Sequence, residues 1–233
     1  MKMKKKRIFS LQRVRQLGQS LPPPIAKETH ARVEQILELF RSVAADITGS
    51  NAWRYQRQLS PGIQEYIEAV SFREYVQTQR LITLPEVSAA LPPEVLVTEE
   101  DYLLGIFDLT GEMMRLAITT LSTGGSGTRS KGSMEGGAEE EQEAKKPPAL
   151  PQSQANIVVD LRTLRARLEE LSVPRRHAGS MLRDMYKKVE VMQNSVEKVE
   201  RAAYGILVRG SERPSGWTPD LSTGVGSMEV ESY

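Results

Sequence analysis

Two short acidic motifs are the residues of this chain best suited to chemistry. Glu65 and Glu68 are three positions apart, and Asp108 and Glu112 are four positions apart. Either spacing places both carboxylates of a pair on one face of an α-helix. If the two helices pack together, four carboxylates converge. Buried like charges repel and lose hydration, so this arrangement predicts a bound divalent cation.

The residue types favour one kind of cation. The chain has no Cys and only two His, and neither His30 nor His177 lies three positions from a candidate acid. An all-oxygen site favours Mg²⁺, with Mn²⁺ as the alternative. Such an ion can activate water and stabilise the charge on a phosphoryl group during transfer. The pattern therefore predicts phosphodiester hydrolysis.

Ordinary charged helix faces are the competing interpretation of the same acids. Arg73 and Arg115 are close enough in sequence to form ion pairs with some of them. The residues around the acids are apolar, however, which a solvated face would not require. These flanking residues are Ile63, Ile67, Val70, Leu104, Phe107, Leu109 and Met113.

Hydrophobic residues recur with helical spacing in the first half of the chain. A helix is predicted within residues 25–47, and a second is predicted to start at Ser60, with Pro61 in its first turn. Thr83 and Glu86 have the spacing of a capping box and predict a short helix. Thr98 has the same spacing to Asp101, opening the helix that carries Asp108 and Glu112.

The second half contains two further helical patterns. Leucines at helical spacing form a stripe in residues 157–172, and a more regular heptad stripe follows, which predicts packing against a helix of this chain or of another. Gly210 is the predicted C-cap of the last helix. The two stripes comprise Leu161, Leu164, Leu168 and Leu171, and then Leu182, Met185, Val189, Met192, Val196, Val199, Ala203 and Ile206.

No segment alternates with the period of a β-strand, so we predict an all-α fold, an antiparallel multi-helix bundle. Residues 25–121 form its first part and residues 156–210 its second. Residues 122–155 are rich in Gly, Ser, Glu, Lys and Pro and predict a disordered insertion. Residues 1–24 form a basic segment with a short first helix, and residues 211–233 form a flexible tail.

Composition narrows the class of protein. The net charge of +1 gives no overall preference for a polyanion, and no apolar run is long enough to span a membrane. No secretory signal is recognisable, so we expect an intracellular protein, in the cytoplasm and nucleus. The basic stretch MKMKKKR is either a nuclear-localisation or nucleic-acid patch, or a solvated terminus. Trp53 and Tyr55, beside arginines, suit base stacking, although packing is the favoured interpretation.

Three longer phrases resemble the translin family: SPGIQEYIEAVSF, DYLLGIFDLTGEMMR and VEKVERAAYGILVRGSE. They are more similar to its RNA-cleaving branch than to translin itself. The resemblance covers most of residues 27–212 and implies the helical bundle of that family. It also implies a Mg²⁺-dependent endoribonuclease subunit for single-stranded RNA, with single-stranded DNA as a further ligand. Translin would be its partner in a hetero-octamer serving RNA silencing and the processing of transfer-RNA fragments.

Carried over by the resemblance, the catalytic acids are Glu65, Glu68 and Asp108, with Glu112 as a fourth metal ligand. The insertion and the helix near 157–172 match the family pattern only loosely. Two other functions remain open. One is a non-catalytic scaffold that binds nucleic acid and translin. The other is an all-α, Mg²⁺-dependent nucleotide pyrophosphohydrolase, which uses similarly spaced acids on free nucleoside triphosphates. We also expect the protein to be poorly soluble without its partner.

Overall fold

A computed structural model of the chain describes residues 9–14, 16–123, 150, 152–172 and 179–209. The described residues fold into α-helices and contain no strand, which confirms the all-α class. Two short 3₁₀ turns, Phe9–Arg13 and Ala44–Ile47, flank the first helix. The helices are α1 (Pro23–Val43), α2 (Asn51–Thr78), α3 (Leu84–Ala90), α4 (Glu99–Thr123), α5 (Gln152–Glu169) and α6 (Gly179–Arg209).

Helix α4 lies at the centre of the bundle and packs against α2, α5 and α6. Its inner side is made of large apolar residues such as Leu109 and Met113, which are almost fully buried. Burial of this kind supplies most of a helix bundle's stability, because in proteins helices are stabilised more by tertiary packing of an apolar face than by intrinsic propensity. The central position of α4 explains its apolar character, and it means that any polar residue on α4 must find a partner.

Contacts between helices define their directions. Arg162 on α5 donates a hydrogen bond to Glu200 on α6, and Gln193 on α6 donates one to Glu169 on α5. Later residues of α5 thus contact earlier residues of α6, so these two helices are antiparallel. By contrast, α2 and α4 run in the same direction, because Ser60 contacts Asp101 and Ile67 contacts Gly105. The connection that contains α3 returns the chain between them. The two acid-bearing helices therefore lie side by side and in register.

The start of α2 differs from the prediction. A start near Ser60 is wrong, since α2 begins at Asn51 and Pro61 lies inside it. Pro61 removes one main-chain donor but does not end the helix. The Ser60 hydroxyl does not cap a helix; it donates to the buried carboxylate of Asp101. Trp53, in the first turn, is 71% exposed, so the favoured interpretation that it packs is not met within this chain.

The capping box at α3 is confirmed: Thr83 Oγ1 accepts from the main-chain N–H of Glu86, and the Glu86 carboxylate accepts from that of Thr83. At α4, the main-chain N–H of Asp101 donates to Thr98 Oγ1, as the spacing predicted. The Asp101 side chain is completely buried, however, and also accepts from α2. The Asp101 side chain therefore joins the start of α4 to α2.

The heptad stripe packs within this chain. Its members Met192 and Val199 are fully buried where α6 meets α4 and α5. The leucine stripe of α5 is buried likewise, except that Leu171 lies beyond the helix and is 42% exposed. Helix α5 begins at Gln152, inside the range predicted for the insertion. The described members of the stripe thus pack against helices of this chain.

Several predictions lie outside the described residues. They concern MKMKKKR at residues 1–7, most of the 122–155 insertion, His177, the side chain of Leu182, and Gly210 with the tail that follows it. Among the residues that are described, no helix is both long and apolar enough to cross a membrane.

Candidate functional site

All four predicted acids line one cavity. It has a volume of about 390 Å³ and lies between α2, α4 and α6. Glu65 and Glu68 come from α2, and Asp108 and Glu112 come from α4. Phe72 and Phe107 form part of the wall and are almost completely buried. The parallel packing of α2 and α4 is what brings the two acidic motifs to the same place.

A close approach of the two helices sets this alignment. A Cβ atom on Gly105 would lie 2.7 Å from Cγ2 of Ile67 and 3.2 Å from the main-chain oxygen of Gln64. Only glycine permits that separation, because real Cβ atoms need more space. Gly105 lies just before Asp108 on α4, and Gln64 lies just before Glu65 on α2. The two acid-bearing turns are therefore held next to the contact.

A buried polar network fixes the same helices one turn earlier. The carboxylate of Asp101 accepts hydrogen bonds from Gln56 Nε2 at 2.5 Å, from Gln64 Nε2 at 3.3 Å and from the Ser60 hydroxyl, all on α2. It also accepts from the Thr98 hydroxyl at 2.8 Å. Because a buried carboxylate needs several donors, this network specifies one arrangement of α2 and α4.

Glu112 is the most buried of the four acids, with 8% of its surface exposed. It forms an ion pair with Arg115 one turn later and accepts a hydrogen bond from Gln12 Nε2 at 2.6 Å. Burial acts to raise the pKa of Glu112, but hydrogen bonds from Arg115 and Gln12, the Arg115 charge and an interaction with Glu68 hold that pKa below its ordinary value. Glu68 on α2 thus interacts with Glu112 on α4 across the two helices.

Asp108 is paired with a cation from a third helix. The Lys188 ammonium group on α6 donates to Asp108 Oδ2 at 2.5 Å and to the main-chain oxygen of Leu104 at 3.3 Å. Lys188 and Arg115 both line the cavity. The cavity wall therefore carries four carboxylates and two side-chain cations, and each cation is bound to an acid of α4.

The donor chemistry of this wall suits a hard divalent cation, because all four acids offer oxygen ligands. Within the described part of the chain, however, no group of three or more His, Asp or Glu is placed to hold a metal ion together. Lys188 and Arg115 supply the compensating positive charge in this arrangement. The four carboxylates are of the type that would hold Mg²⁺ or Mn²⁺, although in the described structure they are not arranged as a metal site.

Sequence reasoning placed the four acids on neighbouring faces but missed Gln12 and Lys188. Gln12 lies in a short 3₁₀ turn, and Lys188 lies beside the heptad stripe of α6. A lysine next to an apolar stripe is too common to indicate a site. Of the two histidines, His30 is exposed on α1 and does not line the cavity.

Comparison with known proteins gives a consistent result. Residues 2–210 match the translin family. Over 221 aligned residues, the chain is 26% identical to translin-associated protein X from Rattus norvegicus and from Mus musculus. It is 27% identical over 181 residues to a translin-associated protein X homolog from Schizosaccharomyces pombe. The rat and mouse alignments cover 84% of this chain and 66% of the relatives, so the chain spans somewhat less than two thirds of their length.

Proposed function

Because the chain belongs to the translin family, we propose that it is a Mg²⁺-dependent endoribonuclease subunit that cleaves single-stranded RNA in a complex with translin. The observation that carries the proposal is the convergence of Glu65, Glu68, Asp108 and Glu112 on one cavity. Acids gathered from two helices into one cavity, one of them buried, mark a candidate functional site. Metal-assisted phosphodiester hydrolysis is the chemistry that this set of donors suits best.

Glu65, Glu68, Asp108 and Glu112 would hold the metal, with Mg²⁺ as the expected ion and Mn²⁺ as the alternative. A bound divalent cation would supply positive charge to the phosphoryl group and lower the pKa of water. In the reaction, a water oxygen bonds to phosphorus, one phosphorus–oxygen ester bond breaks, and the departing oxygen takes up a proton. A carboxylate of the cavity wall accepts the proton that the water gives up.

The names of the relatives state an association with translin, and we extend that association to this chain. A hetero-octamer is the expected assembly, acting in RNA silencing and transfer-RNA fragment processing in the cytoplasm and nucleus. The exposed Trp53 and Tyr55 offer stacking surfaces for unpaired bases, with the Arg54 guanidinium 5.6 Å from the Tyr55 ring centre. Single-stranded DNA is the expected second ligand, since stacking does not distinguish the sugars.

A scaffold that binds nucleic acid without cutting it is the second candidate. It is favoured by the ion pairs of Asp108 with Lys188 and of Glu112 with Arg115, which compensate two acids without metal. A pyrophosphohydrolase is less well supported, because the family match covers residues 2–210 and extends far beyond the acidic motifs.

The deciding experiment is co-expression with translin of the same organism, followed by incubation with labelled single-stranded RNA in Mg²⁺ or EDTA. We expect internal cleavage in Mg²⁺ that is lost in EDTA and in the variants Glu65→Gln and Asp108→Asn. Asp46→Asn is the matched control, because Asp46 is exposed in the 3₁₀ turn after α1 and does not line the cavity.

Two outcomes would contradict the proposal. A stable complex that binds RNA but leaves it intact in Mg²⁺ and in Mn²⁺ would establish the scaffold. Hydrolysis of free nucleoside triphosphates without RNA cleavage would establish the pyrophosphohydrolase.

A further inference from the structure

Helix α6 contributes a cation to the cavity wall, Lys188. Its carboxylate partner is Asp108, one of the proposed metal ligands. We propose that Lys188 is a built-in counter-cation that a divalent metal must displace from Asp108, and that the released ammonium group then binds a phosphate of the RNA. This inference rests on the proposed function. It assigns Lys188 a change of partner that couples metal binding to substrate binding.

The contacts of Lys188 support the first half of this exchange. Its Nζ atom reaches Asp108 Oδ2 at 2.5 Å and the Leu104 carbonyl at 3.3 Å, so the ammonium group lies at a fixed place on the cavity wall. The Lys188 side chain is only 24% exposed, which reduces screening of its charge by water. A cation held there both occupies a carboxylate oxygen and repels a second cation.

The two cations of the cavity differ in how firmly they are held. Arg115 reaches both oxygens of Glu112 from one turn away on the same helix, and that guanidinium is a planar, two-pronged partner. Lys188 crosses from α6 to α4 and uses a compact group on a flexible four-carbon stem. Release of Lys188 from Asp108 would therefore leave the side-chain contacts within α4 intact.

The position of Lys188 supports the proposed contact between its ammonium group and an RNA phosphate. Once Asp108 binds metal, the ammonium group still lines the same cavity as Glu65 and Glu68. A phosphate bound to that metal would bring negative oxygens to this wall. Lysine binds phosphate as a point charge, so the displaced group has a new partner of the correct sign.

Metal binding in the absence of RNA tests the displacement. The Lys188→Met complex with translin should bind Mn²⁺ about tenfold more tightly than the unmodified complex, measured by the electron paramagnetic resonance signal of free Mn²⁺. Lys188→Gln should behave in the same way, because it also removes the charge. Lys187→Met is the matched control, since Lys187 is exposed and does not line the cavity. Unchanged or weaker Mn²⁺ binding in both Lys188 variants would overturn the proposal.

RNA cleavage at saturating Mg²⁺ tests the phosphate contact. Here Lys188→Met should lower kcat at least about tenfold, while Lys187→Met leaves kcat unchanged. A Lys188 variant that cleaves at the full rate once metal is saturating would overturn the second half of the exchange. If every complex binds Mn²⁺ but none cuts RNA, the proposed function fails, whereas tighter Mn²⁺ binding by Lys188→Met would still support displacement.

Discussion

Gly105 on α4 lies against Ile67 on α2 so closely that an added Cβ would be 2.7 Å from one side-chain carbon of Ile67 and 2.8 Å from another. That contact holds the acidic motif of α2 beside that of α4. A methyl group at position 105 must push the helices apart or strain the Ile67 side chain. The separation of the helices at this point is therefore set by a single missing side chain.

We expect Gly105→Ala to lower the free energy of unfolding by about 1–3 kcal/mol, because overpacking outweighs the better helix propensity of alanine. Gly205→Ala on α6 is the control, since a Cβ there meets nothing within 4 Å. That change should stabilise the protein by up to about 1 kcal/mol. Urea unfolding of the two variants measures both effects. Equal stabilisation by both would show that α2 and α4 are not in close contact.

Asp101 should be the most sensitive acid for folding, although it lies outside the cavity. Its fully buried carboxylate accepts from three side chains of α2 and from Thr98. Asp101→Ala leaves these donors without their acceptor, so we expect a loss of about 2–4 kcal/mol in the free energy of unfolding. Asp46→Ala, at an exposed position, should change it by less than about 0.5 kcal/mol. Similar denaturation midpoints for the two variants would argue against the network.

The acidic site was predictable from sequence because its parts are local. The spacings of Glu65 to Glu68 and of Asp108 to Glu112 each define a helix face, and apolar neighbours indicate that the face is half-buried. The partners of these acids are not local: Lys188 is 80 positions from Asp108, and Gln12 is 100 positions from Glu112. No periodic pattern encodes a contact across such a separation.

Helix starts were predictable where a cap decides them and not where packing does. Thr83 caps α3 as expected, because the hydrogen bonds involved lie within one turn. Ser60 and Pro61 have the residue types of a helix start, yet α2 continues through them. The reason is tertiary: Ser60 has a better partner in Asp101, and the preceding turns extend the helix. Local propensity is a weak guide when a distant buried acid needs a donor.

Glu86 should show the clearest titration outside the cavity. Hydrogen bonds from Arg80 and from Thr83 lower the pKa of Glu86 from 4.5 to about 2. A lowered folded-state pKa means that this carboxylate stabilises the folded protein above pH 4.5 and loses that contribution as the pH falls towards 2. We expect the difference in Tm between the unmodified protein and Glu86→Gln to shrink over this interval.

Carbon-detected NMR of the Glu86 carboxyl group measures its pKa directly. A titration midpoint near 4.5 would contradict the Arg80 contact. Glu38→Gln is a suitable control. Glu38 contacts Arg41 one turn away on α1, and its side chain is 76% exposed. Exposed pairs of this kind contribute little, so Tm should not change with that substitution.

Gln12 connects the N-terminal 3₁₀ turn to the site. Its Nε2 atom donates to the Glu112 carboxylate at 2.6 Å and to the Glu112 main-chain oxygen at 3.1 Å. Its own Oε1 atom is buried without a hydrogen-bond partner among the described residues. Gln12→Met removes both the useful donor and this unsatisfied acceptor, so the two effects partly offset each other.

We therefore expect Gln12→Met to cost less than about 1.5 kcal/mol of stability while lowering RNA cleavage about tenfold, because Glu112 loses its hydrogen bonds from the 3₁₀ turn. Gln152→Met, at an exposed position on α5, should change neither quantity. Unfolding curves and cleavage rates of the same preparations separate the two effects. Parallel losses of stability and cleavage would show that Gln12 acts on folding alone, whereas a selective loss of cleavage would make it a positioning residue for Glu112.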